Sequence, residues 1–392
     1  MGHKGIVEVC ILHGGHSRSR ARASWPRCLT ADPRGPARAC STGGARYARG
    51  FKANLWPRGN QFGITFRIEI TTHPMKRIFA FAVIASLGIG FDAVAGSIEW
   101  ANVGTTWSTG TNWVGGTAPA DSTVTDIAVF GSTGASAVNP NLTAARSVNG
   151  VTFLNTPFSY TIGGSALTIG ASGIGSGAVL STQTFSNRLN TSISQAWSNA
   201  GSLILNGTVD LNNSGATSRT LTLSGGGATI FNGVIQNSMA GSTGNITFSG
   251  SGNGSLTLAN ANTYNGTTLL SSGSVTATHD GAFGSGNVSL TGNTATLTLQ
   301  NGLTNNYISD NATLSMLLGS TINLNFVGTD IVGSYVIGGV AQPIGVYNTV
   351  NEPGLLFGTG SITVVPEPST WAMMAAGASL LAGMQRIRRR RV

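Results

Sequence analysis

Between Gly96 and Val364, apolar and small polar residues alternate in short runs, each closed by Gly, Asn or Ser. GSLILNGTVDL (Gly201–Leu211), SRTLTLSGGGATIFNGVI (Ser218–Ile235), GNITFSG (Gly244–Gly250), GSLTLAN (Gly254–Asn260), GNVSLTG (Gly286–Gly292) and GSITVV (Gly360–Val365) are examples. A period of two puts every second side chain on the same face of an extended chain, so each run predicts a half-buried strand of about three to six residues ended by a turn. No window of helical length in this stretch carries a sustained i, i+3, i+4, i+7 stripe. The body, residues 96–364, is therefore expected to be all-β.

The turns suggest how the strands are joined. Asn-Gly follows or interrupts an apolar strand at Asn149-Gly150, Asn206-Gly207, Asn232-Gly233 and Asn265-Gly266, and this dipeptide turns the chain tightly because it tolerates φ > 0. In hairpins it would build a sandwich or meander; in a solenoid it would form the corner between successive faces of a coil. Recurring strand-plus-corner units, few charges, and abundant Asn and Thr able to stack in ladders favour the solenoid. With roughly twenty residues per coil and coils about 4.8 Å apart, the body would form about 13 coils and a rod of about 60 Å.

Two apolar runs depart from the strand pattern. Met75 opens MKRIFAFAVIASLGIGFDAVAG, in which Lys76 and Arg77 precede an apolar stretch, Ile78 to Phe91, and then Ala93-Val94-Ala95. These are the three parts of a secretory signal peptide, residues 75–95, cut by signal peptidase between Ala95 and Gly96. Such a signal works at a nascent N-terminus. Translation is therefore expected to start at Met75, and residues 1–74, which show no sustained helix or strand periodicity, to be an extension that is not normally made. The competing reading is a disordered basic arm ahead of a transmembrane helix.

The second run lies in the tail, residues 365–392. Pro366, Glu367 and Pro368 break the last strand; an uncharged run, Trp371 to Met384, follows, and then Arg386, Arg388, Arg389, Arg390 and Arg391. Fourteen helical residues span about 21 Å, short of the roughly 30 Å hydrocarbon core. The arginines would stay cytoplasmic, with the rest of the chain outside. An ordinary tail anchor and a buried helix with a basic end are the other readings of this stretch.

Charge alters the picture only once it is located. The chain is formally +9 at pH 7, a balance that suggests nucleic acid or an anionic membrane as partner. Of its 22 Lys and Arg, however, only Arg146, Arg188 and Arg219 lie between Gly96 and Val364, against eight acids: Glu99, Asp121, Asp126, Asp210, Asp280, Asp310, Asp330 and Glu352. A nucleic-acid binder needs a basic stripe, and this body is net acidic and free of lysine. Cys10, Cys28 and Cys40 all precede Met75, so the exported part has neither a disulfide framework nor a thiolate metal site.

Two family resemblances sit on these patterns. Gly250–Leu290 is similar to the autotransporter-associated β-strand repeat: G-x-G-x-L-x-L, then the core Ala261-Asn262-Thr263-Tyr264-Asn265-Gly266-Thr267-Thr268, then G-x-L/V-x-V, with Ala277 in the last place here, and a closing A-x-G-x-G-x-V. The resemblance implies a right-handed parallel β-helix exposed at the cell surface. Gly104–Ser132 looks like the W-x-x-G-x-N-W opening seen ahead of such repeats, where Trp107 and Trp113 would cover the open end of the first coils. An autotransporter closes with a translocator barrel; here the Pro-Glu-Pro tail occupies that place, so export is expected through the general secretory route.

The tail itself closely resembles the PEP-CTERM sorting signal of Gram-negative bacteria, with Val365-Pro366-Glu367-Pro368-Ser369-Thr370, the apolar run and the arginines in order. That resemblance implies transient insertion in the inner membrane, processing by exosortase near Val365, and release or attachment at the cell surface.

Candidate chemistry is sparse. Glycosidases need paired carboxylates and lyases a positioned base, often beside an acidic calcium cluster; here the acids are scattered and only three arginines are available. His279-Asp280 is the one adjacent pair with catalytic potential, and its setting (THDGAFG) reads as a turn. Tyr264 and the tryptophans could stack on sugars; the other reading is that Tyr264 packs as a structural residue beneath its Asn-Gly corner. Neither cofactor nor metal is expected. The sequence thus points to a non-enzymatic, exported structural or adhesive β-helix of the cell surface or extracellular matrix, associated with exopolysaccharide. The alternative is a polysaccharide-binding or polysaccharide-degrading β-helix.

Overall fold

A computed structural model describes residues 5–13, 51–58, 61–70, 96–177, 181–215, 217–365 and 368–389. They fall into two units, divided after Asp92. In the first, Gln61–Ile70 lies between Gly5–His13 and Phe51–Arg58, antiparallel to both. Pairing thus occurs in a segment whose sequence shows no sustained strand periodicity. The apolar run and the Ala93 and Ala95 of the expected signal peptide lie outside the described residues; the second unit's first strand, Gly96–Glu99, begins at Gly96.

The second unit is a parallel β-solenoid. One face has ten strands in sequence order: Asn141–Leu142, Thr161–Gly164, Thr182–Phe185, Ser202–Leu205, Ala228–Phe231, Ser255–Leu258, Ser274–Ala277, Thr296–Gln300, Thr321–Asn325 and Leu356–Gly358. A second face begins with Gly96–Glu99, Asp126–Phe130, Arg146–Phe153 and Leu167–Ser176. The last of these pairs with both Leu189–Thr191 and Gln195–Ser198, so the solenoid passes from two sides to three. From there, one side stacks Val209–Asp210 and Ile235–Gln236; the other stacks Ser218–Gly225, Thr243–Gly250, Thr268–Ser272, Val288–Leu290, Thr313–Met316 and Ser334–Ile337.

The alternation sets what is buried. On the ten-stranded face Leu203, Leu256, Val275, Leu297, Ile322 and Leu356 lie in one inward row, and Phe185, Leu205, Phe231, Leu258, Ala277, Leu299 and Leu324 in the next; all are 0–3% exposed. Each large apolar side chain removed from water contributes about 1.5–3 kcal/mol. A one-residue slip would turn a whole row outward, which is why register holds coil after coil. Gln183 and Thr229 interrupt the first row, and both are satisfied: Gln183 Nε2 donates to Phe158 O (2.9 Å), and Thr229 Oγ1 accepts from Asn199 Nδ2 (3.4 Å).

Two sequence expectations need correcting. Successive coils along Thr182, Ser202, Ala228, Ser255, Ser274, Thr296 and Thr321 are 19 to 27 residues long rather than a uniform twenty. The body makes about nine turns instead of 13: beyond the longer coils, the face begins only at Asn141 and its last step, Ile322 to Leu356, takes 34 residues, so the ten-stranded face extends about 43 Å at the usual strand spacing. The second correction concerns the Asn-Gly pairs, none of which has φ > 0. At Gly207 and Gly233 a Cβ would run into the backbone of the coil below, Asn187 and Gly207 respectively. Glycine is required there because coils stack closely, not because of backbone handedness. The paired asparagines do ladder: Asn232 Nδ2 donates to Asn206 Oδ1 (2.8 Å), and Asn260 Nδ2 to Asn232 O (3.0 Å). Asn149-Gly150 lies inside the strand Arg146–Phe153, at a register shift.

The two ends of the stack are built differently. At the entry Trp100, Trp107 and Trp113 are at most 1% exposed and meet edge to face, Trp113 lying 4.9 Å from Trp100 and 5.0 Å from Trp107. Phe130 sits beneath all three and continues into Phe153 and Phe185. At the far end parallel stacking gives way to antiparallel pairs, Ser334–Ile337 with Val340–Ala341 and Gly345–Tyr347 with Ser361–Val364. The outermost strands, Val340–Ala341 and Gly345–Tyr347, are only two and three residues long, and short edge strands offer little for a further chain to pair with.

Candidate functional site

The tail grows directly out of the last coil. Ser361–Val364 is the middle strand of a three-stranded sheet, parallel to Thr329–Val332 and antiparallel to Gly345–Tyr347. Its inward residues Ile362 and Val364 are 0% and 5% exposed, and the Thr363 and Thr329 hydroxyls lie 2.6 Å apart. The Val365 amide still reaches Val332 O at 3.5 Å. A helix, Pro368–Arg389, then begins. Pro368, Arg386, Arg388 and Arg389 lie in it, and Arg386 is exposed; Pro366, Glu367, Arg390 and Arg391 lie outside the described residues.

A helix forms where the membrane span was expected, but its spanning character is not confirmed. Twenty-two helical residues would reach about 33 Å, but polar residues fill both ends: Ser369 and Thr370 at the start, Gln385, Arg386, Arg388 and Arg389 at the finish. Among the described residues no helix is long and apolar enough to cross a membrane.

On the coils, the side chains of His279 and Asp280 go to different partners. His279 Nδ1 lies 2.7 Å from the backbone oxygen of Asp280. The Asp280 carboxylate faces the next coil, accepting from Leu303 N (2.9 Å), Thr304 N (2.8 Å), Thr304 Oγ1 (3.0 Å) and Asn306 N (3.1 Å). Burial raises its pKa, but these bonds outweigh that effect and hold it below the usual carboxylate range. The residue ties one turn to the turn above, beside an open pocket of about 540 Å³ lined also by Ser309, Asp310 and Asn311. Asp280→Ala should destabilise the fold by about 1–2 kcal/mol, since water can take over part of the four lost bonds; chemical denaturation measures it.

Tyr264 is fully buried, with its hydroxyl 2.6 Å from Thr268 Oγ1, out of reach of a sugar. Burial pushes that hydroxyl's pKa well above the ordinary tyrosine value. Arg219 is likewise occupied within the fold, donating to Thr191 O (2.5 Å) and Ser214 O (2.8 Å).

Sequence reasoning missed two buried acids. Asp210 has no exposure and accepts from Arg188 Nη2 (2.5 Å), Ser238 Oγ (2.5 Å), Gln236 Nε2 (3.0 Å), Asn212 N (3.1 Å) and Ser238 N (3.2 Å). Burial acts to raise its pKa, and the hydrogen bonds from Ser238, Gln236 and Asn212 reverse that and lower it. Asp330, also without exposure, is the opposite case. Its Oδ2 accepts one long bond from Ile308 N (3.3 Å), and its Oδ1 has no partner. Burial raises its pKa to about 8, with the nearby charges of Asp310 and Asp280 adding to the rise. Neither acid is marked in the sequence by more than its isolation in an apolar strand.

Among the described residues no group of three or more His, Cys, Asp or Glu could hold a metal ion. The solenoid is compatible with the β-strand-repeat resemblance at Gly250–Leu290. No curated protein and no solved structure matches the chain. Residues 364–391 match the family described as the PEP-CTERM protein-sorting motif, and that motif implies an exported protein sorted at the membrane of a Gram-negative bacterium by exosortase.

Proposed function

We propose that this chain is a non-enzymatic structural component of the cell surface or extracellular matrix, delivered by secretory export and exosortase processing and associated there with exopolysaccharide. The observation that carries the reading is the junction of two parts: a sparsely charged solenoid runs without a further domain into the matched sorting motif. In this reading the signal peptide at residues 75–95 starts export, and the short apolar run Trp371 to Met384 serves as a temporary stop rather than a lasting anchor. The arginines after it stay on the cytoplasmic side. The rod then works by its geometry. Its ten-stranded face turns Thr, Ser and Asn outward, as at Ser255, Thr257, Ser274, Thr276, Thr296, Thr298, Thr321 and Asn323. Such ladders offer hydroxyls and amides in step to a polysaccharide chain or a neighbouring rod.

Glu367→Ala tests the sorting reading. The variant is expected to accumulate as full-length protein in the membrane fraction, while the wild type appears as a shorter form ending near Val365, by mass spectrometry of the C-terminal peptide. Maturation of the variant at the wild-type rate would overturn it.

A further inference from the structure

A peptidase cleft takes its substrate as an extended strip, commonly by adding the substrate as a strand to its own edge, which requires free backbone N–H and C=O groups on that strip. The residues leading to the sorting motif are already engaged in a sheet. Ser361–Val364 is paired along both edges, with Thr329–Val332 on one side and Gly345–Tyr347 on the other. Ile362 and Val364 are packed into the core, and the Val365 amide still points at Val332 O. On the far side the helix starts at Pro368. Only residues 365–367 separate the end of the strand from the start of the helix, a reach of about 14 Å between Val364 and Pro368 even when fully extended. A cleft that recognises Pro366-Glu367-Pro368 therefore meets a folded coil immediately upstream.

We propose that Ser361–Val364 is a detachable closing strand: the sorting peptidase acts on this chain only while the strand is out of its sheet, so that processing is coupled to opening of the last coil. The inference rests on the exosortase reading above. When an opened state is the one cut and opening is fast, the rate of cutting follows the population of that state. Interactions that hold the strand therefore slow maturation, and added reach beyond it speeds maturation. After the cut, the strand is free to close again on Thr329–Val332 and Gly345–Tyr347, burying the new end against the coil.

The exported body has no cysteine, so a single engineered disulfide can pin the strand. Ile331 and Thr363 stand directly opposite each other on the outer face of adjacent parallel strands, about one strand spacing apart at Cα, which a disulfide can span. The experiment follows full-length protein maturing in its own host by pulse–chase, comparing wild type, Ile331→Cys/Thr363→Cys with and without reductant, and each of these with eight Gly/Ser residues inserted between Val365 and Pro366. The oxidised pair is expected to mature at least about tenfold more slowly than wild type, because the open state is denied to it. Reductant should restore the rate. The insertion should speed the wild type and release the oxidised pair, showing that reach, not misfolding, set the block. Maturation of the oxidised pair at the wild-type rate overturns the inference, as does an insertion that fails to release it. Failure of the sorting reading looks different: Glu367→Ala then matures normally in every background.

Discussion

Trp113→Ala is expected to destabilise the solenoid by about 3–5 kcal/mol, the usual cost of emptying a fully buried aromatic site. Trp113 is the middle ring of the entry cap: it contacts Trp100 and Trp107 edge to face, lies above Phe130, and donates from Nε1 to Trp107 O at 2.6 Å. The flanking rings are themselves tied to backbone or to other rings, Trp100 through a bond from Nε1 to Val138 O (2.7 Å), so the gap cannot simply close over. Each coil of a solenoid contacts only its neighbours, and a terminal coil has a partner on one side alone. Loss of the cap therefore falls on Phe130 and the Phe153–Phe185 column. Trp113→Phe keeps a ring but loses the hydrogen bond, and should cost clearly less. Guanidinium unfolding of the exported protein measures both; a loss below about 1 kcal/mol for Trp113→Ala would mean that the cap does not carry the first coils.

Two members of this cap, Trp107 and Trp113, were legible through the likeness of Gly104–Ser132 to the W-x-x-G-x-N-W opening; Trp100, which precedes that motif, was not. The strands were legible because burial on one face imposes a period of two, and Leu256, Leu258, Val275, Leu297 and Leu299 display it without interruption. Coil count was not, because corners absorb insertions freely. Twenty-seven residues separate Ala228 from Ser255 and nineteen separate Ser255 from Ser274, yet both steps give one strand spacing. The role of the glycines was misjudged because turn chemistry is local, whereas the constraint at Gly233 is Gly207 of the coil below.

The buried acids were hidden for a related reason. Which parity of Thr329-Asp330-Ile331-Val332 faces inward is decided by pairing with Ser361–Val364, where Asp330 stands opposite Ile362. Local hydropathy would favour Ile331 inside; the structure turns Asp330 and Val332 inward and leaves Ile331 half-buried. The sorting tail was readable by its order of parts, but the absence of slack between it and the last coil was not, since GSITVV looks like any other strand.

Asp330→Asn should make the protein more stable at neutral and mildly alkaline pH, and should remove a slope from its stability profile. In the folded protein the Asp330 carboxyl, buried and with one oxygen unpartnered, titrates near pH 8; in the unfolded chain it titrates near 3.8. Between those values the native state keeps a proton that the unfolded state has released. Stability then falls as pH rises, by up to about 1.4 kcal/mol per unit, and levels off above pH 8. Across the window the contribution is on the order of 5 kcal/mol. Asp210 and Asp280 act on the other limb: their folded pKa values are lowered, so their contribution is present above the unfolded value and is lost as pH falls below about 4. Stability should consequently peak in mildly acidic solution. Asparagine has no proton to release in either state, keeps an oxygen for the Ile308 amide, and leaves unchanged the limb below pH 4. Guanidinium unfolding at pH 5, 7 and 9 separates the cases: the variant should gain over the wild type with each step up to about pH 8, and a wild type no less stable at pH 8 than at pH 5 would show that Asp330 is ionised and paired in the folded coil. Because Asp330 sits on the strand that holds Ser361–Val364, the same ionisation loosens the sheet that must open for sorting. The asparagine variant, with a firmer last coil, should therefore mature more slowly at neutral pH than the wild type.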